Sequence, residues 1–167
     1  PVLARSRVRF VGEAIAVVVA DSPDAARDAV EAISYDIKEL PPALHLKPEE
    51  PTLHPEAPQN RAFEYLFGDE AGTEAALASS AHRVALEVVH NRVTAAPMEP
   101  RAAFADWDGD RLHLCVNGQG VWVQRNELSR MLGLPRDRVR VTNPDVGGGF
   151  GMKGMTYPEY VVISDAA

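Results

Sequence analysis

Cysteine is almost missing from this chain. Cys115 is the one copy in 167 residues, so no internal disulfide framework can hold the fold together. Long apolar runs are missing too: no stretch reaches the roughly 18 residues that a membrane-crossing helix needs. Positive charge is in short supply, and the formal net charge of -7 gives no support for a broad electrostatic grip on nucleic acid. No signal peptide is recognisable, and a cytoplasmic location is expected. No internal repeat is visible. The first residues, PVLARSR, contain no initiator methionine, and the last, VVISDAA, read as a helix or strand cut short. Both ends suggest a piece of something longer.

What is present is a chain with enough apolar residues, 46%, to build a core. Residues 7–20, RVRFVGEAIAVVVA, carry a β-branched run suited to buried strands, with Gly12 and Glu13 at a turn or bulge. Asp21 or Ser22 caps a helix that Pro23 begins and that runs to about Ser34. Strand character resumes at 34–37. Residues 38–64 hold six prolines (Pro41, Pro42, Pro48, Pro51, Pro55, Pro58) and mark a connector. His45 and His54 lie in it without the spacing of a metal site.

A second unit begins near Tyr65. It reads as a helix over 73–81, a long strand over 82–94, and a hairpin of 102–107 and 111–117 joined at Asp108–Gly109. A helix from about Val121 to Leu132 follows, capped by Gly133, then a strand over 138–142. That strand leads into PDVGGGFGMKG, residues 144–154. Glycine permits positive φ and close backbone approach, and a row of exposed N–H groups can cradle an anion. The stretch matches neither the Walker phosphate loop nor the dinucleotide fingerprint. A plain turn and an anion loop both remain open. Gln119, in NGQG at a strand end, is either a turn residue or a ligand-facing donor and acceptor. Glu99 and Arg101, within APMEPR, form an ion pair with each other or with nearby backbone, or take part in chemistry. Cys115 reads as a core residue of its strand.

Taken together, VRFVGEAIAVVVADSPDAARDAVEAISYD, APMEPRAA, GQGVWVQRNELSRMLGLPRDRVRV, PDVGGGFGMK and YPEY resemble the large molybdopterin-binding subunit of the xanthine dehydrogenase and aldehyde oxidase family. The resemblance covers essentially the whole chain and leans toward the carbon monoxide, nicotinate and isoquinoline dehydrogenase branch. It implies an α+β fold. Residues 1–40 would be the end of an α/β hammerhead domain and 41–64 a connector. Residues 65–167 would be the start of a mixed α/β molybdenum-cofactor-binding domain. It also implies hydroxylation of a carbon centre with oxygen derived from water, the electrons leaving through iron–sulfur centres. On this resemblance Gly149, Phe150 and Gly151 lie against a molybdopterin-type cofactor, with Gln119 and Phe150 at the reacting centre.

The purine-oxidising members carry a glutamate directly after the lysine of this loop, where this chain has Gly154, which speaks against a purine substrate. The family's glutamate base and most of its pterin contacts fall beyond residue 167. The isolated chain is therefore expected to be inactive and to hold no cofactor tightly. The expected partners are the remainder of the large subunit, an iron–sulfur subunit or domain, and optionally a flavin subunit. Exposed apolar surface would make self-association an option. A non-enzymatic binding or assembly module that keeps the same fold is the contrasting reading.

Overall fold

The computed structural model describes residues 2–45 and 47–167. It divides into two compact units, one made of residues 1–33 with 92–167, the other of 34–91.

The first unit is built around a three-stranded sheet, β1 (Ala103–Trp107), β2 (Leu112–Val116) and β3 (Val139–Thr142), in the order β1-β2-β3. The β1–β2 hairpin is antiparallel, with Ala103 opposite Val116 and Trp107 opposite Leu112. Its turn is made by local chemistry. Asp108 accepts the N–H groups of Asp110 at 2.9 Å and Arg111 at 2.7 Å, and Gly109 takes φ 94°. Those two N–H groups hold the Asp108 carboxyl below the usual range.

β2 and β3 run parallel, so the chain must cross over between them. It does so through α3 (Trp122–Leu132), which Gly133 ends in the left-handed conformation, φ 69°. The Leu134 N–H returns to Ser129 O at 3.0 Å. α4 (Pro158–Ala166) starts on Pro158, whose fixed φ and missing N–H suit a first helical position.

Period-two burial places the core. Leu112, Leu114 and Val116 point from one face of β2, joined by Val139 and Val141 of β3, Leu128 of α3, and Tyr160 and Val161 of α4. The opposite face carries His113, whose Nε2 lies 2.7 Å from Thr142 Oγ1, and Cys115, which is half-buried.

Before the sheet, α1 (Pro23–Glu31) is capped by Ser22, which accepts the Ala25 N–H at 3.1 Å. The strands expected over 7–20 do not form. Residues 10–13 make a turn with Gly12 at φ 94°, and the Ala4 N–H to Ala14 O bond, 2.8 Å, is not continued as a ladder.

The second unit holds α2 (Glu70–Ser79), which starts three residues before the expected 73 because Asp69 caps it through the Gly72 N–H at 2.9 Å. The strands expected over 34–37 and 82–94 are not formed either. Val84, Leu86, Val89 and Val93 are all more than four-fifths exposed. A β-branched run becomes a strand only when another strand satisfies its N–H and C=O groups, and no described residue does so here.

Candidate functional site

Three segments meet at one end of the sheet. β2 and β3 are adjacent and parallel, so Asn117–Gly120 and the glycine stretch leave from neighbouring carboxyl ends. The antiparallel β1 begins at the same end, which brings in the PMEP segment that precedes it. The region outside the carboxyl ends of parallel strands is where α/β sheets commonly bind ligands.

Two asparagines pin the segments together. Asn117 donates from Nδ2 to Pro100 O at 2.7 Å and accepts the Ala102 N–H at 2.8 Å. Asn143 accepts the Gly118 N–H at 3.1 Å and donates from Nδ2 to Gly118 O at 2.6 Å. Both use an amide to replace sheet bonds just where the ladder ends.

Most of the close approaches to the glycines come from this chain's own side chains. A Cβ on Gly147 would lie 2.6 Å from Glu99 Cβ, and one on Gly148 would lie 2.7 Å from the Phe150 ring. A Cβ on Gly149 would lie 2.5 Å from Gln119 Cδ. Gly151 and Gly154 face open space. Phe150 is three-quarters exposed and sits at φ 52°, a left-handed conformation that an aromatic residue rarely adopts. Strain of that kind persists only where its surroundings enforce it, and it collects at functional sites.

The loop is fixed by a charged contact that sequence reasoning missed. Lys153 is fully buried, and its Nζ donates to Glu99 Oε2 at 2.7 Å. The same oxygen accepts the Gly147 N–H at 2.8 Å. The Lys153 ammonium, with the Gly147 N–H next, holds the Glu99 carboxyl below its ordinary value. Of the alternatives open for Glu99 and Arg101, the pairing with each other is not made: Glu99 takes Lys153 and a backbone N–H. Arg101 turns instead to Glu159, 3.4 Å, and stacks over the Tyr157 ring at 3.5 Å. Tyr157 in turn donates its hydroxyl to Met152 O at 2.5 Å. The signal available in the sequence was a glutamate held between two prolines and a lone lysine closing the glycine run.

The sequence-predicted residues do come together: Gln119 lies over Gly149, and Phe150 and Gly151 follow directly. Among the described residues, the N–H groups of Gly148, Gly149, Phe150 and Gly151 and the Gln119 carboxamide have no hydrogen-bond partner. Gln124 on α3 is a further orphan, buried with neither amide atom paired. Among the described residues no cluster of His, Cys, Asp or Glu could hold a metal ion directly. Among the described residues no helix is long and apolar enough to cross a membrane. A row of neutral donors beside a free carboxamide suits an oxygen-rich organic group that brings its own metal ligands, so the donor set fits a pterin-borne metal and not a bare ion.

The glycine loop at the carboxyl end of this mixed sheet, with Gln119 over it, is the candidate site. The model of the molybdopterin cofactor-binding domain family matches residues 53–167. The carbon monoxide dehydrogenase large chain of Hydrogenophaga pseudoflava is 35% identical over 96% of this chain and 22% of its own length. The nicotine 6-hydroxylase large subunit of Paenarthrobacter nicotinovorans is 36% identical over 98% of this chain and 20% of its own. The crystal structure of quinoline 2-oxidoreductase from Pseudomonas putida 86 superposes with a TM-score of 0.72 at 35% identity, covering 99% of this chain and 22% of that one. The chain belongs to the molybdopterin-binding large-subunit family of the xanthine dehydrogenases and aldehyde oxidases, and spans about a fifth of the length of these relatives.

Proposed function

We propose that this chain supplies one wall of the molybdenum-cofactor site of a molybdenum hydroxylase, an oxidoreductase whose complete large subunit oxidises a carbon centre with water-derived oxygen. The relatives' names point to an aromatic N-heterocycle, an aldehyde or carbon monoxide as the substrate class. The observation that carries the reading is the Gln119 carboxamide lying over Gly149 beside a row of unpartnered N–H groups.

In this reading Gly149, Phe150 and Gly151 hold the cofactor through backbone N–H groups. The bound cofactor supplies Lewis acidity and accepts the electrons of the oxidation. Gln119 directs its amide at an oxygen on that group, where it can donate or accept without a change of charge. Phe150, held outward by its left-handed backbone, forms an apolar wall that orients the substrate and keeps water from its carbon. Residues 1–40 are read as the end of a hammerhead domain, 41–64 as a connector, and 65–167 as the beginning of the cofactor domain. The rest of the large subunit supplies the other wall and the base. An iron–sulfur partner, and optionally a flavin subunit, carry the electrons away. The isolated chain, with one wall, is inactive.

The test is expression of the full reading frame with its partner subunits under molybdenum-replete conditions, followed by metal analysis and turnover. Molybdenum bound in stoichiometric amount, with oxidation of one of the three substrate classes, is expected. A folded complex that takes up no molybdenum would overturn the reading.

A further inference from the structure

One carboxylate oxygen ties the two ends of the glycine loop. Glu99 Oε2 accepts from the Gly147 N–H at the loop's beginning and from Lys153 Nζ at its end. Glu99 is itself held on a stiff segment, between Pro97 and Pro100, that Asn117 fastens to the end of β2. The far end of the loop is held twice more, through Tyr157 to Met152 O and through the Gln119 N–H to Lys153 O at 3.1 Å. The last bond couples the clamp to the exposed Gln119 side chain, because the residue that Glu99 buries also fixes the Gln119 backbone. Lys153 has no exposed surface, and a buried ammonium without a partner is strongly unfavourable. Carboxylate, lysine and loop are therefore placed together or not at all.

Resting on the function proposed above, we propose that Glu99 is a positioning residue. It closes the glycine loop through one oxygen, and so sets the row of N–H groups at 148–151 and the Gln119 carboxamide in one fixed relation. It touches no reacting atom itself. Among the described residues, the N–H groups of 148–151 between the tied ends have no partner, so their geometry depends on where the ends are pinned.

The experiment uses the full-length subunit in its complex. Glu99→Gln and Lys153→Met are combined so that no unpaired charge stays buried, and Glu99→Asp keeps the charge on a shorter arm. Hydrogen exchange of the peptide spanning the loop, molybdenum content, melting temperature, kcat and KM are measured. In the double variant, loop exchange should rise about tenfold or more while exchange in β2 and α3 is unchanged. kcat per molybdenum should fall about 10- to 100-fold with a smaller change in KM, as expected for a misplaced reactive group. Glu99→Asp, which folds with its charge intact, should recover part of both. Loss of molybdenum together with faster loop exchange also supports the clamp, since the loop is then what the cofactor requires. Wild-type loop exchange in the double variant, or faster exchange with unchanged kcat per molybdenum, would overturn it. A wild-type complex without molybdenum would sink the function proposed above, while the exchange comparison would still decide whether Glu99 orders the loop.

Discussion

Gln119 and Gly149 occupy each other's space: the glutamine side chain lies where any Cβ at 149 would have to be. The two residues are brought together by the parallel pairing of β2 with β3, each of which ends a few residues earlier. The absence of a side chain at 149 is thus explained first by an internal contact. What remains free for a ligand is the outer side of the loop and the carboxamide itself.

That arrangement separates function from stability at Gln119. The side chain is exposed and makes no hydrogen bond among the described residues. Gln119→Ala should therefore change the melting temperature little. In the complete enzyme it should raise the barrier to turnover by about 2–3 kcal/mol, the usual cost of removing a preorganised polar group. Turnover, molybdenum content and melting temperature should be measured on one preparation. Unchanged turnover at full metal occupancy would move the role to another residue, with Gln124 the next to test.

The loop glycines should differ in what a methyl group does to them. At Gly149 the added Cβ meets the Gln119 side chain from Cγ outward, and that exposed side chain can rotate away as a whole. Gly149→Ala should cost within about 0.5 kcal/mol of stability yet impair turnover through Gln119. At Gly147 the added Cβ meets Glu99 Cβ at 2.6 Å, close to a backbone stiffened by prolines. Gly147→Ala should destabilise by about 1–3 kcal/mol, the range for overpacking. Denaturant melts of the two variants check the contrast, and equal losses would contradict it.

Acid should release the loop. The Glu99 carboxyl is held below its ordinary value by Lys153 and the Gly147 N–H. The folded value is the lower one, so the stabilisation is complete above the unfolded-state value and is lost as pH falls through the folded value. The melting-temperature gap between the wild type and Glu99→Gln should be widest near neutral pH and should close on acidification through the carboxylate range. A gap that stays constant would show that the charge on Glu99 contributes nothing.

The elements read correctly from sequence are those whose partners lie within this chain. The hairpin around Asp108–Gly109, α3 with its Gly133 cap, and β3 fall within a residue or so of expectation, because turn chemistry, capping and period-two burial are local. The β-branched runs over 7–20 and 82–94 misled because a strand is a property of a pair of segments, and local pattern does not report whether the pair exists. The same distinction holds at the site. The glycine run and Gln119 stand out by residue type. The Glu99–Lys153 contact joins residues 54 apart and follows only from the register of three strands. Nearness in sequence offers Glu99 only Arg101 or neighbouring backbone. Arg101 instead reaches Glu159 and Tyr157 around the start of α4.

We propose that Gly154 bears on the substrate of the complete enzyme. The purine-oxidising relatives of the resemblance carry a glutamate at this place, and xanthine is expected to fail in an activity screen of the complete complex against N-heterocycles, aldehydes, carbon monoxide and purines. The backbone here does not require glycine. Gly154 lies outside the positive-φ residues, and an added Cβ meets nothing within 4 Å. Its own N–H is engaged with Gly151 O at 3.2 Å, so the short 3-10 turn Met152–Gly154 would persist under substitution. Gly154→Glu should thus fold with an unchanged melting temperature and place a carboxylate just after Lys153, whose ammonium is already committed to Glu99 and cannot neutralise it. The new carboxylate would be left to hydrogen-bond a ligand N–H. Xanthine binding, measured by titration of the complex, should appear or strengthen in Gly154→Glu, while turnover of carbon monoxide or a simple aldehyde is kept. A folded, molybdenum-loaded variant with no gain in purine binding would show that this position does not set the exclusion of purines.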